Sequence, residues 1–324
     1  MKNIAQIERK IGKVSIVCPF YNEAAIIGKA VERMLLKLKD LDLDWELILV
    51  NDGSKDPSVE NINIPAEFGQ KVRILSYPVN QGRGYALKTG IESATGDIII
   101  TTEIDLSWGE DIVEKILMKF RENSKLDAVI ASPNLPGGGY KNVPFKRVIL
   151  SKFGNQLIRL LFTRKITMNT GMTRGYRREV IQGLSTFEKG KEFHLEVLLK
   201  LHVLGASIGE IPATLEWKDQ KLSQTPGEKR KSSTKIPHII ATHVNFLFFA
   251  SPIKYFWFIS IVLMALCLAS LAYGTYLFMT KGVSVFMVII SMLFAIFSLL
   301  FFGFGVIAEL CKNILKELWK NNRG

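Results

Sequence analysis

Four short apolar segments in the first third of the chain are each followed by polar or acidic residues, and this pattern constrains the fold most strongly. The segments and their polar endings are 14–18 with 19–23, 45–50 with 51–54, a third segment that runs into 80–84, and 97–102 with 103–105. Apolar runs of this length bounded by turn residues are typical of buried strands. Ligands of open α/β sheets bind beyond the carboxyl ends of the strands, so these endings predict a binding site.

Helical periodicity fills the intervals between these strands. Helices are predicted at 24–39, 81–94 and 108–124, followed by a fifth strand at 126–131, an amphipathic helix at 143–163, a helix at 193–204 and a strand at 207–212. A series of alternating strands and helices favours a mostly parallel sheet covered on both faces. We therefore expect a Rossmann-like α/β domain over residues 1–217.

Two long segments near the carboxyl end contain no charged residue, namely Tyr255 to Met279 and Val283 to Ala308. About 20 helical residues suffice to cross a hydrocarbon core of about 30 Å. The short link Thr280 to Gly282 makes the pair a helical hairpin. Two core helices of a soluble protein are the alternative, but uncharged runs of this length are rare in soluble cores. The sequence therefore predicts an integral membrane protein.

The formal net charge of +12 lies largely beside these two segments. Basic flanks place both ends of a hairpin, and the large N-terminal domain, in the cytoplasm. Met1 to Lys13 is polar and charged, so no signal peptide is expected there.

Anionic lipid headgroups account for the positive charge better than nucleic acid does, and no nucleic-acid partner is expected. The three cysteines have no metal or disulfide spacing, in agreement with a reducing compartment.

We predict four regions along the chain. They are a cytoplasmic catalytic domain at 1–217, a basic loop at 218–254 whose second half could lie along the membrane surface, a two-helix transmembrane hairpin at 255–311, and a basic cytoplasmic tail at 312–324.

The first strand is not followed by G-x-G-x-x-G and the chain has no Walker loop, which excludes the usual dinucleotide and P-loop sites.

An ordered set of motifs gives a more specific indication. The set comprises Pro19-Phe20-Tyr21-Asn22-Glu23, Asn51-Asp52-Gly53-Ser54, Asn80-Gln81-Gly82-Arg83-Gly84-Tyr85-Ala86, Gly96-Asp97 and Glu103-Ile104-Asp105. In this order the motifs resemble the family-2 glycosyltransferases of the GT-A fold, over roughly residues 14–216. The resemblance implies a glycosyltransferase that uses a UDP- or GDP-linked sugar.

The nucleotide pocket is expected around Asp52, whose carboxylate can accept hydrogen bonds from a base or a ribose hydroxyl. Tyr21 and Glu23 could close the other side of this pocket, and Pro19 shapes the turn. The alternative is that Asp52 only caps the Asp-Gly-Ser turn.

The glycine-rich segment at 80–84 is expected beside the phosphates of the donor. Gly82 and Gly84 allow close approach of the backbone, and Arg83 and Lys88 can face phosphate groups. The alternative is that this segment marks only the start of a helix.

Glu103 and Asp105 alternate across Ile104, so on a strand both carboxylates would point the same way. Two like charges at short range favour a divalent cation such as Mg²⁺ or Mn²⁺, bridging to the diphosphate. The family motif is usually Asp-x-Asp, and Glu103 departs from it. An acidic surface turn is the alternative.

One branch of the family, the polyprenyl-phosphate sugar synthases, joins this domain to membrane helices, and its smaller members have two. The segment Pro144 to Arg147, followed by Ser151, resembles the basic helix that holds the lipid phosphate in that branch. Lys146, Arg147 and Ser151 are therefore the candidates for the acceptor phosphate, since a guanidinium fork suits phosphate. A solvated basic face is the alternative.

Two further segments resemble this branch, Arg174 to Arg178 and Glu210 to Pro212, although the acidic residue usual before the first is missing from 167–169. Arg230 and Lys235 could contact the diphosphate from a loop. Attraction of these two cations to the membrane surface explains their presence equally well.

The resemblance implies an inverting transfer to polyprenyl phosphate, assisted by Asp105 through the metal and by Arg147 at the acceptor. A phosphate monoester with a second pKa of about 6 needs no general base. A hydroxyl acceptor would need one, with Glu192 and Glu196 as candidates. A catalytically silent membrane scaffold that binds nucleotide sugar is the third hypothesis. Two-helix relatives assemble through their spans, which implies a homo-oligomer.

Overall fold

The computed structural model describes residues 9–161, 166–190, 192–217, 252–282 and 285–321. The chain divides into two compact units, Met1–Thr234 and Lys235–Gly324. The first unit holds the described strands and the shorter helices, and the second holds two long apolar helices.

The elements of the first unit follow one another mostly as strand then helix. The strands are β1 (Lys13–Phe20), β2 (Asp44–Asn51), β3 (Val72–Ser76), β4 (Ile98–Thr101), β5 (Ala128–Ser132), β6 (Gly139–Lys141), β7 (Arg174–Arg177), β8 (Ile208–Pro212) and β9 (Thr214–Glu216). The helices are α1 (Ile27–Lys39), α2 (Arg83–Ser93), α3 (Ile112–Glu122), α4 (Phe145–Leu161), α5 (Arg178–Ile181) and α6 (Phe193–Val203), with a 3₁₀ helix at Ala66–Phe68.

Seven of these strands form one sheet in the order β3-β2-β1-β4-β7-β5-β8. The pairs β1–β2, β1–β4, β2–β3 and β5–β8 are parallel, whereas β7 runs antiparallel to both of its neighbours. The predicted mostly parallel α/β sheet is thus confirmed. β6 and β9 pair in a separate two-stranded parallel sheet.

The core lies where the amphipathic helices cover the sheet. In α1 the buried residues recur every three or four positions, from Ile27 to Leu38, as expected for a helix with one face on a sheet. The central strands are buried on both faces, and Ile16, Leu47 and Ile100 have no exposed surface. This agrees with the continuous apolar composition of parallel strands covered by helices.

Strand β7 was not predicted, because its sequence Arg-Gly-Tyr-Arg lacks an apolar pattern. Its place in the sheet depends on helix α3. A Cβ atom on Gly175 would lie 2.5 Å from Ile116 and 2.8 Å from Phe120, so only glycine lets α3 pack against the strand.

The second unit consists of α7 (Pro252–Lys281) and α8 (Val285–Asn321), which run antiparallel. Ser260 pairs with Ser298 (Oγ–Oγ 3.1 Å) and Ser270 with Ser291 (2.8 Å) along their seam. The stretches Pro252–Thr280 and Val285–Trp319 have mean hydropathies of 2.2 and 2.8, and each is only 11% buried. Both are long and apolar enough to cross a membrane, and their low burial is unlike that of core helices.

The structure describes most of the predicted basic tail but almost none of the predicted basic loop. Helix α8 continues past the predicted end of the hairpin to Asn321, so most of the predicted tail is helical. The predicted basic loop and surface helix fall almost entirely on residues 218–251, outside the described part, and the domain limits stay a prediction.

Candidate active site

The carboxyl ends of β1, β2, β3 and β4 meet at one edge of the sheet. These four strands are adjacent and parallel, and Phe20 lies opposite Asn51 in the register of β1 and β2. The polar endings named from the sequence therefore converge on this edge, where parallel α/β sheets place their sites.

Asp52 anchors the loop that precedes α2. Its carboxylate accepts hydrogen bonds from Tyr77 Oη (2.7 Å), Asn80 Nδ2 (2.9 Å), Gln81 N (2.8 Å) and Gly82 N (3.1 Å), and the residue is 4% exposed. Burial, together with the bond to Asp52, raises the pKa of Tyr77. Most of the acceptor capacity of this carboxylate is thus used within the protein.

The Asp-Gly-Ser turn itself is held by a different residue. Asn51 Oδ1 accepts a hydrogen bond from Ser54 N at 2.9 Å. The alternative in which Asp52 caps this turn is therefore wrong, because its oxygens face the loop at 80–82 instead.

The loop after β1 is fastened to the loop after β2. Asn22 N donates to Ser54 Oγ (3.0 Å) and Glu23 N donates to Ser58 Oγ (2.8 Å). Asn22 has a φ of 53°, a left-handed conformation that asparagine tolerates better than most residues. Tyr21 on this loop is exposed, and Pro19 and Glu23 are partly buried.

Glu103 and Asp105 lie in a turn and not on a strand, so the predicted strand geometry is wrong. β4 ends at Thr101, and Leu106 has a φ of 53°. The two carboxylates nevertheless meet at Ser107, whose Oγ donates to Glu103 Oε2 (2.7 Å) and whose N donates to Asp105 Oδ1 (3.0 Å). Ser107 is 1% exposed, so one buried residue orients both acids.

This acidic turn, which we define as Glu103 to Ser107, fits a divalent cation that takes its other ligands from elsewhere. Within the described ranges, no group of three or more His, Cys, Asp or Glu residues could hold a metal ion. Mg²⁺ and Mn²⁺ accept one or two carboxylates and complete their shells with water and substrate phosphates. The donor set of the acidic turn suits such an ion.

The two cations predicted to face phosphates have different surroundings. Arg83 Nη1 lies 3.6 Å from Glu103 Oε1, at the acidic turn. Lys88 Nζ instead donates to the Thr186 carbonyl (3.3 Å) and lies 3.9 Å from Glu92. The structure thus brings Arg83 to the predicted metal ligands and directs Lys88 to the loop before α6.

That loop explains the glycines at 82 and 84. A Cβ atom on Gly82 would lie 2.6 Å from the Lys189 carbonyl oxygen, and one on Gly84 would lie 2.7 Å from that of Gly190. Tyr85 N also donates to the Lys189 carbonyl at 3.1 Å. The predicted close backbone approach is present, but the partner is the segment 188–190 of the chain itself.

Glu196, one candidate for a general base, holds the same loop in place. Its carboxylate accepts hydrogen bonds from Phe187 N (3.0 Å), Glu188 N (2.9 Å) and Lys200 Nζ (2.6 Å), and the residue is 1% exposed. This arrangement favours a structural role. Glu192, the other candidate, lies partly exposed just before α6.

Two basic side chains, one on β7 and one on α6, are buried. Arg174 donates to the main-chain carbonyls of Gly171 (2.7 Å), His194 (2.8 Å) and Asn169 (2.6 Å) and has no exposed surface. Neither ring nitrogen of His194 has a partner among the described residues. Burial, with smaller effects of Arg174 and Arg83, holds the pKa of His194 well below its usual value.

The predicted acceptor residues lie at the start of α4, and β9 links this region to the acidic turn. Arg147 Cζ lies over the ring of Trp217, 4.7 Å from its centroid. Trp217 directly follows β9, where Glu216 N donates to the Ser107 carbonyl at 2.7 Å. Lys146 is exposed, and Ser151 Oγ accepts a weak hydrogen bond from Asn155 Nδ2 (3.4 Å).

Apolar residues accompany these cations on the surface of α4. Phe145 is 77% exposed and Ile149 is 51% exposed. Such a mixture of cations and exposed apolar side chains suits the boundary of a lipid layer. Arg230 and Lys235, the other predicted basic contacts, lie outside the described residues.

Sequence reasoning missed three contributors to the site. Tyr77, Ser107 and Trp217 were not assigned roles in it. Tyr77 and Trp217 each directly follow a strand, as the predicted site residues do, and this position is the signal that could have identified them.

Comparison with known proteins gives the family. Residues 15–184, just over half of the chain, match glycosyl transferase family 2. An uncharacterised glycosyltransferase of Synechocystis is 28% identical over 181 residues, which are 56% of this chain and 55% of that protein. The dolichol-phosphate mannosyltransferase of Pyrococcus furiosus is 27% identical over 193 residues, or 58% and 53% of the two chains. The chain thus spans about half the length of these relatives.

Solved structures confirm the predicted GT-A fold. Glucosyl-3-phosphoglycerate synthase from Mycobacterium tuberculosis, in complex with Mn²⁺, UDP-glucose and phosphoglyceric acid, has a TM-score of 0.55. It is 19% identical, and the match covers 73% of this chain and 80% of that one. At this identity the likeness speaks for the fold alone. Through its ordered motifs, its sheet and its match over residues 15–184, the chain belongs to glycosyl transferase family 2.

Proposed function

We propose that this protein is a membrane-bound, inverting glycosyltransferase that moves a sugar from a UDP- or GDP-linked donor to a polyprenyl phosphate, dolichyl or undecaprenyl. The observation that carries the proposal is the link through β9. It joins the acidic turn, suited to a diphosphate and its metal, to the exposed basic start of α4, suited to a lipid phosphate.

The donor half of the proposal is supported by the strand-end edge. Glu103 and Asp105 would hold Mg²⁺ or Mn²⁺, and Arg83 would contact the diphosphate. The synthase from M. tuberculosis that shares the fold was crystallised with Mn²⁺ and UDP-glucose. Asp52 keeps the loop at 80–82 in place. Tyr21 and Glu23 lie on the adjoining loop and Pro19 lies near the end of β1, and we place the base at this point.

The acceptor half is supported by α4 and by the two apolar helices. A lipid phosphate must lie at the membrane surface, where exposed aromatic and basic residues bind best. Arg147 Cζ lies 4.7 Å from the centre of the Trp217 ring, a cation–π contact that helps to hold an exposed guanidinium whose N–H groups suit a phosphate. The relative in P. furiosus is named for a dolichol-phosphate acceptor.

The reaction needs one displacement at the anomeric carbon. An oxygen of the acceptor phosphate forms a bond to this carbon, and the bond from the carbon to the donor diphosphate breaks with its electron pair on the diphosphate. A divalent metal supplies charge stabilisation for that leaving group when it is bound. Arg83 adds positive charge at the diphosphate, and Arg147 orients the acceptor. The phosphate monoester is largely dianionic near neutral pH, so no general base is required.

Membrane topology and assembly complete the proposal. The basic residues that flank the two apolar helices favour a cytoplasmic position for the catalytic domain and both termini. The two spans would also provide the contact for a homo-oligomer. Cysteine labelling from either side of sealed vesicles tests the topology, and crosslinking in the membrane tests the assembly.

Radiolabel transfer tests the function. Full-length protein in detergent is incubated with labelled UDP- and GDP-sugars, Mg²⁺ or Mn²⁺, and undecaprenyl or dolichyl phosphate. A labelled lipid that disappears with Asp105→Ala but persists with the exposed Glu122→Ala control supports the proposal. Arg147→Ala should raise KM for the lipid, whereas Lys152→Ala on the same helix should not.

Two other results would support a different function. Transfer only to hydroxyl acceptors, with loss of turnover in Glu192→Gln, would show an enzyme that uses a general base. Donor binding without any transfer would show a silent scaffold.

A further inference from the structure

Arg83 is placed as a competitor for the carboxylate that a metal would use. Its Nη1 atom lies 3.6 Å from Glu103 Oε1, while Ser107 Oγ donates to the other oxygen, Oε2. The side chain of Arg83 is 43% exposed and that of Glu103 is 22% exposed. Both oxygens of Glu103 thus have partners, and the guanidinium offsets one of the two negative charges of the acidic turn.

The backbone at Arg83 is fixed, so only its side chain can leave. Gly82 N donates to Asp52, and segment 188–190 packs directly against Gly82 and Gly84. Arg83 is the first residue of α2, between these two glycines. Rotation of the long side chain is therefore the available route by which Glu103 loses this partner.

A divalent cation and a guanidinium repel each other across Glu103. The acidic turn has two carboxylates, and no third His, Cys, Asp or Glu completes a cluster within the described ranges. A cation there would bind weakly while Arg83 remains. A diphosphate would remove both obstacles to metal binding. Its oxygens add ligands for the cation, and it gives the Arg83 guanidinium a bidentate partner away from Glu103.

We propose that Arg83 makes metal binding conditional on the donor: without a nucleoside diphosphate it covers Glu103, and the diphosphate draws it away and completes the metal site. The inference rests on the proposed function only in taking a nucleoside diphosphate as the ligand. It assigns to Arg83 an effect on the free protein that a mere phosphate contact would not have.

The test is Mn²⁺ binding to the full-length protein in detergent, followed by the electron paramagnetic resonance signal of free Mn²⁺, with and without UDP or GDP. In the absence of nucleotide, Arg83→Gln should bind Mn²⁺ about tenfold more tightly than the unaltered protein, since one unit charge near the cation is removed. The tightening produced by nucleotide should shrink in the same variant, because the coupling is reciprocal.

Two further variants keep the result interpretable. Arg33→Gln removes the arginine of another Arg–Glu ion pair, with Glu110, and should leave Mn²⁺ affinity unchanged. Arg83→Lys keeps the charge and should keep the suppression. Unchanged or weaker nucleotide-free Mn²⁺ binding by Arg83→Gln would overturn the inference. This experiment measures Mn²⁺ binding and no transfer of sugar. A negative lipid-transfer assay would therefore count against the proposed function without deciding whether Arg83 suppresses metal binding.

Discussion

Replacing Glu196 by glutamine separates a structural role of this residue from a catalytic one. The buried carboxylate receives the main-chain N–H groups of Phe187 and Glu188 and the ammonium of Lys200. Glutamine has the same shape, but it lacks the charge and turns one acceptor into a donor that faces another N–H group. The loop before α6 should therefore lose part of its anchor.

The cost can be worked from these contacts. One buried N–H group without an acceptor costs about 1–3 kcal/mol. The ion pair with Lys200, whose side chain is 28% exposed, adds about 0–1 kcal/mol. The sum is about 1–4 kcal/mol, and a domain of this size loses about 2–4 °C in Tm for each kcal/mol, so the expected decrease is roughly 2–16 °C. Donor affinity should also fall, because the loop packs against Gly82 and Gly84.

Thermal unfolding of the full-length protein in detergent, alongside lipid transfer, provides the measurement. Glu192→Gln is the matched control, since Glu192 is partly exposed, and its Tm should stay close to that of the unaltered protein. The reasoning is refuted if Glu196→Gln unfolds at the same temperature as the unaltered protein while its turnover is lost, which is the behaviour of a general base.

Three further predictions concern Ser107, Tyr77 and His194. Ser107→Ala removes the hydroxyl that orients Glu103, and Mn²⁺ affinity in the presence of UDP or GDP should fall about 10–100-fold by titration calorimetry; an unchanged affinity would contradict the role given to Ser107. Tyr77→Phe removes one donor to Asp52 and should lower the free energy of unfolding by about 1 kcal/mol in denaturant titrations, and no loss would argue against this bond. His194 is buried, and burial lowers its pKa in the folded protein. As pH falls below about 6.5, the imidazole is protonated in the unfolded state before it is protonated in the folded state. The free energy of unfolding should therefore decline by up to about 1.4 kcal/mol per pH unit. His194→Leu should flatten this decline in unfolding measured between neutral and acidic pH, and an identical pH slope in the variant would refute the account.

Local patterns in the sequence were enough to predict the parallel sheet and the two apolar helices. Strands such as β1 and β2 are apolar on both faces because helices cover both, and that requirement is visible in composition alone. The apolar helices are equally plain, because a membrane demands length and absence of charge. The convergence of the polar strand endings followed from the rule that parallel strands share one carboxyl edge.

The pairings within the site were not predictable in this way. Asp52 meets Tyr77, and Gly84 meets Gly190, across long stretches of sequence, and no local pattern encodes such contacts. Strand β7 is polar and became a strand only because its neighbours and α3 enclose it. Glu103 and Asp105 were expected to alternate as residues of a strand do, but the turn that contains Ser107 decides their geometry.

The sequence by itself therefore determined the family, the sheet and the types of residue at its edge, since these depend on composition and on short-range order. Only the tertiary structure decided which side chains hold the loops, as it did for Asp52 and Glu196. The physical reason is that a buried carboxylate takes its role from the donors around it, and those donors arrive from distant parts of the chain.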